Sequence, residues 1–187
     1  GRWGRRVVMR NSPRFEDAAF FPGAGFDPER ILLGDVDGDG LADLVYVSSG
    51  RVTICINQGG NAWSDPVVIH GTPPITDADS VRLADMLGNG TDGILWTYDF
   101  GAFPDSTYKF LDLTGGVKPY VLDQMDNNMG AVTRITYAAS TEFYLQDDER
   151  PETRWRTTLP FPVQVVARVE VIDRISYGKL TTEYRYH

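Results

Sequence analysis

Asp35, Asp37, Asp39 and Asp43 occupy positions 1, 3, 5 and 9 of a nine-residue stretch, with Gly38 and Gly40 at positions 4 and 6. Carboxylates at alternate positions of a short loop are what a hard, oxygen-seeking cation such as Ca²⁺ requires. The glycines supply positive φ where the backbone must curl around an ion. The carbonyl of Leu41, at position 7, completes the expected ligand set of Asp35, Asp37, Asp39, Leu41 and Asp43. The opening resembles an EF-hand loop, which demands a bidentate Glu at position 12; Tyr46 stands there instead. Asp-Gly pairs also make ordinary turns, yet four Asp in this register favour a metal. Bound there, Ca²⁺ turns carboxylate repulsion into a rigid loop by linkage to folding. The role is structural, because a catalytic cation needs open positions beside an acid or base.

The flanks fix what carries this loop. Ile31-Leu32-Leu33 before it and Leu44-Val45-Tyr46-Val47 after it are short apolar runs without helical period, so the loop is expected to join two strands. A shift of 50 residues sets Ile31–Asp35 beside Val81–Asp85, Gly38-Asp39-Gly40 beside Gly88-Asn89-Gly90, and Leu44-Val45-Tyr46 beside Ile94-Leu95-Trp96. A second phase sets Val8-Met9-Arg10-Asn11-Ser12, reaching Phe15, beside Cys55-Ile56-Asn57-Gln58-Gly59, reaching Trp63. Repeats of short strands and Gly-rich turns are those of β-propeller blades. Two or so blades cannot close a ring, so the chain reads as the last part of a propeller cut from something longer. The second loop keeps Asp85 but carries Leu87, Asn89 and Gly93 where the first has Asp, with Asp92 displaced by one; a plain turn is expected.

Composition removes several function classes. At 187 residues, 42% hydrophobic and 12% aromatic, the chain can bury a core. A formal net charge of −8 with no basic run argues against nucleic acid as partner. No apolar stretch approaches the length of a membrane span, so direct insertion is not expected, and the first residues hold no apolar core of a secretory signal. Cys55, the one cysteine, lies in a strand-like run and reads as a buried small hydrophobe.

Catalytic constellations fare poorly. His70 and His187, the two histidines, suggest neither triad nor zinc site and are expected at the surface. Ser64 has no nucleophile-elbow context, and the loop glycines sit among Asp residues that repel phosphate. Asp147-Asp148-Glu149-Arg150 reads as a solvated loop rather than a glycosidase pair. Arg154-Trp155-Arg156 suits either a protein contact or packing through the Arg stems.

Beyond Trp96 the texture changes. Thr97–Asp105 reads as turn and loop, and Lys109–Leu113 as a strand closed by Gly115-Gly116. A boundary is placed near Lys118-Pro119, giving domains 1–118 and 119–187. Asp126–Gly130 is rich in residues that tolerate the left-handed turn, and Ala131–Tyr137 follows with strand alternation. In Val163–Val171, Val163, Val165, Ala167, Val169 and Val171 share one face, with Gln164, Arg168 and Glu170 on the other. A last strand, Leu180–His187, is expected to pair with it after a turn at Tyr177-Gly178-Lys179.

The acidic loop resembles the FG-GAP or VCBS repeats of integrin-like propellers, where such a loop clamps a blade with calcium. The Asp126, Gly130, Thr133, Tyr137 order resembles the YD repeats of RHS proteins, whose hairpins spiral into a hollow shell. Leu111–Pro119, Asp126–Gly130, Leu159–Val169 and Leu180–Tyr186, in that order, resemble the middle segment of the B subunit of bacterial insecticidal toxin complexes, also found in relatives of the plasmid-virulence B protein. That resemblance implies an all-β fold, a partial propeller followed by antiparallel hairpins of an RHS-like shell. It implies a secreted, non-catalytic part whose propeller docks on the pore-forming A subunit and whose shell, with the C subunit, encloses a toxic enzyme. Two rivals stand beside it: an integrin-like adhesion or carbohydrate-binding module, and a propeller enzyme such as a glycosidase or phytase.

Overall fold

Short β-branched runs separated by Gly and Asx turns cannot sustain helices, and they assemble as antiparallel hairpins. The computed structural model describes residues 2, 4–14, 26–75, 80–98, 108–157 and 159–187. Phe15 and most of the expected 97–105 loop lie outside the described residues. The chain divides into two compact units, one of Gly1–Met86 with Asp92–Gly115, the other of Leu87–Thr91 with Gly116–His187.

In the first unit, β1 (Ile31–Gly34), β2 (Asp43–Ser48), β3 (Arg51–Cys55) and β6 (Val67–His70) form an antiparallel sheet in the order β1-β2-β3-β6. The short β4 (Asn57–Gln58) and β5 (Ala62–Trp63) make a side hairpin, alongside which Arg10 runs: its N–H donates to Asn61 O at 2.9 Å, and its carbonyl accepts from Trp63 N at 3.0 Å. A second sheet has β7 (Ser80–Ala84), β8 (Gly93–Thr97) and β9 (Tyr108–Leu111). The 50-residue repeat holds to the residue. Leu33 faces Leu44 and Gly34 faces Asp43 in one hairpin, while Leu83 faces Ile94 and Ala84 faces Gly93 in the other.

Burial explains why these strands hold. β2 is central and its Val45 and Val47 are fully buried, as are Val52 of β3 and Ile94 of β8. With Val36, Ile54, Trp96 and Tyr98 they form one core that draws on both sheets. Cys55 is buried and unpaired, as its sequence context implies. Gly93 is a close-approach position: a Cβ there would lie 2.3 Å from Phe110 Cζ and 2.6 Å from the Leu111 carbonyl.

The second unit is an antiparallel sheet in the order β10 (Gln124–Asp126), β11 (Ala131–Ala139), β12 (Gln164–Asp173), β13 (Lys179–Glu183). Its first turn is built as the sequence indicates: Asn128 (φ 56°) and Gly130 (φ 101°) are left-handed. Asp126 Oδ1 there accepts from Asn128 N at 2.8 Å. The single apolar face expected along β12 is interrupted: one extra residue near Ala167 shifts the register, so Val169 and Val171 stand opposite Ile135 and Thr133 while Val166 and Gln164, not Val165 and Val163, stand opposite Tyr137 and Ala139. Val171 lies in a cross-strand row with Thr133, Met125 and Leu180 that is substantially exposed, whereas Glu170, bonded to Arg168 and Lys179, is on the opposite face. The last strand is shorter than expected, since Tyr184–His187 leave it.

A second expectation is overturned. The segment expected to be a solvated loop around Asp147 ends a helix, α1 (Ser140–Asp148), and Asp147 is 1% exposed. Phe143, Tyr144 and Leu145 are consecutive, so they spread around the helix instead of lining one face. Ser140 anchors its start: its hydroxyl accepts from Val163 N at 3.1 Å, and its own N–H donates to Val163 O at 2.8 Å.

Candidate metal centre

The hairpin of β1 and β2 sets the ends of the acidic loop, and the loop's own side chains shape its interior. Asp35 accepts from Gly38 N at 2.7 Å and from Gly40 N at 2.9 Å, one N–H on each carboxylate oxygen. Asp37 Oδ1 accepts from Asp39 N at 3.1 Å, and Asp39 Oδ1 from Leu41 N at 2.7 Å. Gly38 and Gly40 take φ of 84° and 87°, which a Cβ would oppose. This winding turns Asp35, Asp37 and Asp39 inward until each offers an oxygen within 4.8 Å of the others. Among the described residues no other set of three ligating side chains gathers in this way.

Asp43 plays a different part. Its side chain is fully buried, Oδ2 accepts from Val36 N at 3.1 Å, and Oδ1 accepts from Asn57 N at 2.8 Å. It therefore clips the start of the loop and the exit of β3 to the base of the hairpin. Burial raises its pKa, the two backbone N–H groups oppose that, and Asp37 and Asp39 add to the rise. The structure thus brings together three of the four expected carboxylates and gives the fourth a backbone-binding role.

The donor set fits a hard divalent cation: carboxylate oxygens only, with no sulfur or imidazole, on a loop already wound. Asp43 oxygens retain lone pairs beyond the N–H groups they accept. In the second repeat Asn89 reproduces the turn of Asp39 without charge, its Oδ1 accepting from Thr91 N at 3.0 Å. Asp92 is held above the ordinary carboxylate range by burial, then by Asp85 and Asp35.

The groups weighed for catalysis are occupied otherwise. Ser64 Oγ accepts from Ile56 N at 2.9 Å and donates to Asp65 O at 2.8 Å. His187 Nδ1 lies 3.1 Å from Asp147 Oδ2, which also accepts from Trp155 Nε1 at 3.1 Å. Burial pushes the Asp147 carboxyl up, but its partners His187 and Trp155 outweigh it and leave the pKa lowered. Arg154 pairs with Asp148 at 3.0 Å. The Arg154-Trp155 segment thus closes the end of α1, a hub that no sequence pattern announces, because an Asp in a last helical turn is ordinarily solvated.

The family described as the insecticide toxin TcdB middle/N-terminal region matches residues 57–187. The chain belongs to this toxin family. FG-GAP-like repeats match residues 8–96 of this TcdB-family chain. Among solved structures, that of TcdB2-TccC3 without the hypervariable C-terminal region matches with a TM-score of 0.76 and 31% identity over 86% of this chain. The Tc holotoxin pore of Photorhabdus luminescens carrying a TccC3 D651A mutation matches with the same TM-score and 30% identity over 89%. The chain spans 8% of each of those solved chains. No curated protein sequence matches it. The fold is all-β, partial propeller blades followed by antiparallel hairpins.

Proposed function

We propose that this chain is a non-catalytic structural and interaction segment of a secreted toxin-complex B subunit. Residues 1–118 supply terminal propeller blades that help dock the subunit on its pore-forming partner. Residues 119–187 begin the shell that, with a C subunit, encloses a toxic enzyme. The observation that carries this reading is the 31% identity over 86% of the chain to TcdB2 held with TccC3. The open apolar row of Met125, Val171 and Leu180 suits a sheet that belongs to a larger assembly.

Within that role the acidic loop is a structural Ca²⁺ site. Asp35, Asp37 and Asp39 would hold the ion, with the Leu41 carbonyl and Asp43 completing the set. The ion supplies positive charge that lets three close carboxylates coexist. The residues do the rest, since Asp43 and the loop's own N–H groups set the shape.

Transplanting residues 1–187 into TcdB2 in place of its matching segment tests the reading. A chimera that co-elutes with TccC3 as one particle is the expected result. A chimera that melts cooperatively yet elutes apart from TccC3 would overturn it.

A further inference from the structure

The second unit holds a pocket of about 260 Å³ where the first turns of α1 meet the segment leading into β12. We infer that it binds a quaternary ammonium group of the choline type, boxed by the rings of Tyr144, Trp155 and Phe161. All three residues line the pocket, as do Pro160 and Pro162. The Tyr144 and Trp155 rings stand 5.9 Å apart at 89°, two walls at a right angle rather than a stacked pair. Phe161 is 62% exposed, so its ring is open to a ligand. Aromatic faces within about 6 Å of a cation attract it through the ring quadrupole, and several rings around one site are how proteins hold a methylated ammonium.

Electrostatics and hydrogen bonding narrow the class. The Trp155 indole N–H donates at 3.1 Å to Oδ2 of Asp147, which is 1% exposed and whose lowered pKa keeps it ionised at neutral pH. A charged acceptor polarises the indole toward a more negative ring face, and Trp is already the strongest cation–π partner. Arg154 and Arg156 line a separate hollow with His187, on which Trp155 also borders, and Arg154 is paired with Asp148 at 3.0 Å. A primary ammonium or a guanidinium would bring N–H donors that need acceptors. The Ser140 and Thr141 hydroxyls of the lining are committed, the first to Val163 N and the second to the Gly88 carbonyl, at 3.1 Å each. A quaternary nitrogen brings no donor, and its methyl groups suit aromatic and proline walls.

The ¹⁵N-labelled 187-residue chain tests this through the Trp155 indole resonance, assigned by triple-resonance spectra. Choline chloride is titrated at constant ionic strength, with 3,3-dimethylbutan-1-ol, the same shape with carbon in place of the charged nitrogen, as the neutral counterpart. Saturable movement of the Trp155 peak is expected, about tenfold weaker for the alcohol, which keeps the apolar contact and loses the cation. Phe161→Leu leaves an apolar side chain at an exposed position, so it should melt with wild type and bind choline about threefold more weakly, while Phe161→Tyr restores the ring and the affinity. Cosedimentation with phosphatidylcholine vesicles and not with phosphatidylglycerol ones would place the ammonium on a lipid headgroup; binding of free choline alone would place it on a soluble amine, and either upholds the inference. No saturable shift at tens of millimolar choline overturns it. So does equal affinity for the alcohol, or Phe161→Leu binding choline as wild type does.

Discussion

Replacing Asp43 and Asp37 by Ala separates the clip from the ion. Asp43→Ala strips acceptors from the N–H groups of Val36, which is buried, and Asn57, which is partly so. Orphaning one fully buried and one half-buried donor costs about 2–4 kcal/mol. In a chain of this length that is a fall in Tm of about 4–16 °C. The loss needs no metal, so it should appear undiminished in excess chelator. Asp37→Ala is different, because it removes a carboxylate whose oxygen sits within 4.8 Å of two others. Each such pair repels by about 0.9 kcal/mol at the dielectric constant of water, so without metal this variant should melt level with wild type or a few degrees higher. With Ca²⁺ the order changes. An affinity of roughly 10⁻⁴ to 10⁻³ M and about 10 mM Ca²⁺ give wild type about 1.4–2.7 kcal/mol, or about 3–11 °C, that Asp37→Ala lacks. Melting curves by circular dichroism in chelator and in Ca²⁺ read wild type and both variants in each condition. Asp43→Ala melting with wild type in chelator would refute the clip, and a wild type indifferent to Ca²⁺ would refute the ion.

Gly93→Ala should be severe, because its Cβ would meet Phe110 Cζ at 2.3 Å and the Leu111 carbonyl at 2.6 Å. Overpacking of this kind costs about 1–3 kcal/mol, read as a lower urea midpoint. Trp155→Phe removes the indole donor to Asp147 while keeping the ring against Tyr144, 5.9 Å away and edge-on; the second unit should lose thermal stability, and unchanged melting would show the hub to be idle. Acid should loosen the same unit. Asp147, Glu170 and Asp173 are all held below their ordinary values of 3.8, 4.5 and 3.8. For Asp147, burial opposes the lowering and its bonds to His187 and Trp155 exceed it. The hydrogen bond from Lys179 leads for Glu170, and that from Ser176 for Asp173. A depressed folded-state pKa adds stability that is complete above the unfolded value and is lost as pH falls through the folded one. Melting temperature should therefore decline on titration below those ordinary values, and a flat profile there would contradict the pairings.

The hairpins were legible because their signals are local. Alternation in Ala131–Tyr137 and Val163–Val171 marks strands, and the spacing of Asp35, Asp37 and Asp39 survives as a cluster because an Asx turn needs only its neighbours. The role of Asp43 was not legible, since what it binds includes Asn57, fourteen residues on, across a strand pairing that sequence does not print. Helix α1 escaped for the same kind of reason. Its consecutive aromatics find Tyr186 and Trp155 in three dimensions, so tertiary contact replaces the periodic face by which a helix is read.

The two repeats show that loop shape and ion binding are separable. Both hairpins have the same register, with position 9 of the loop set against the last residue of the preceding strand, Asp43 against Gly34 and Gly93 against Ala84. At position 5, Asp39 and Asn89 each accept an N–H from two residues on, at 2.7 and 3.0 Å, one charged and one neutral. At position 9 the solutions diverge: a buried carboxylate gathers two backbone donors in the first, while in the second an absent side chain admits the Phe110 ring. The second hairpin keeps the same register without a cluster of three carboxylates among the described residues, so the register does not depend on one. What the first repeat adds is charge, and charge gathered at a loop already shaped is a cost to folding unless a cation meets it.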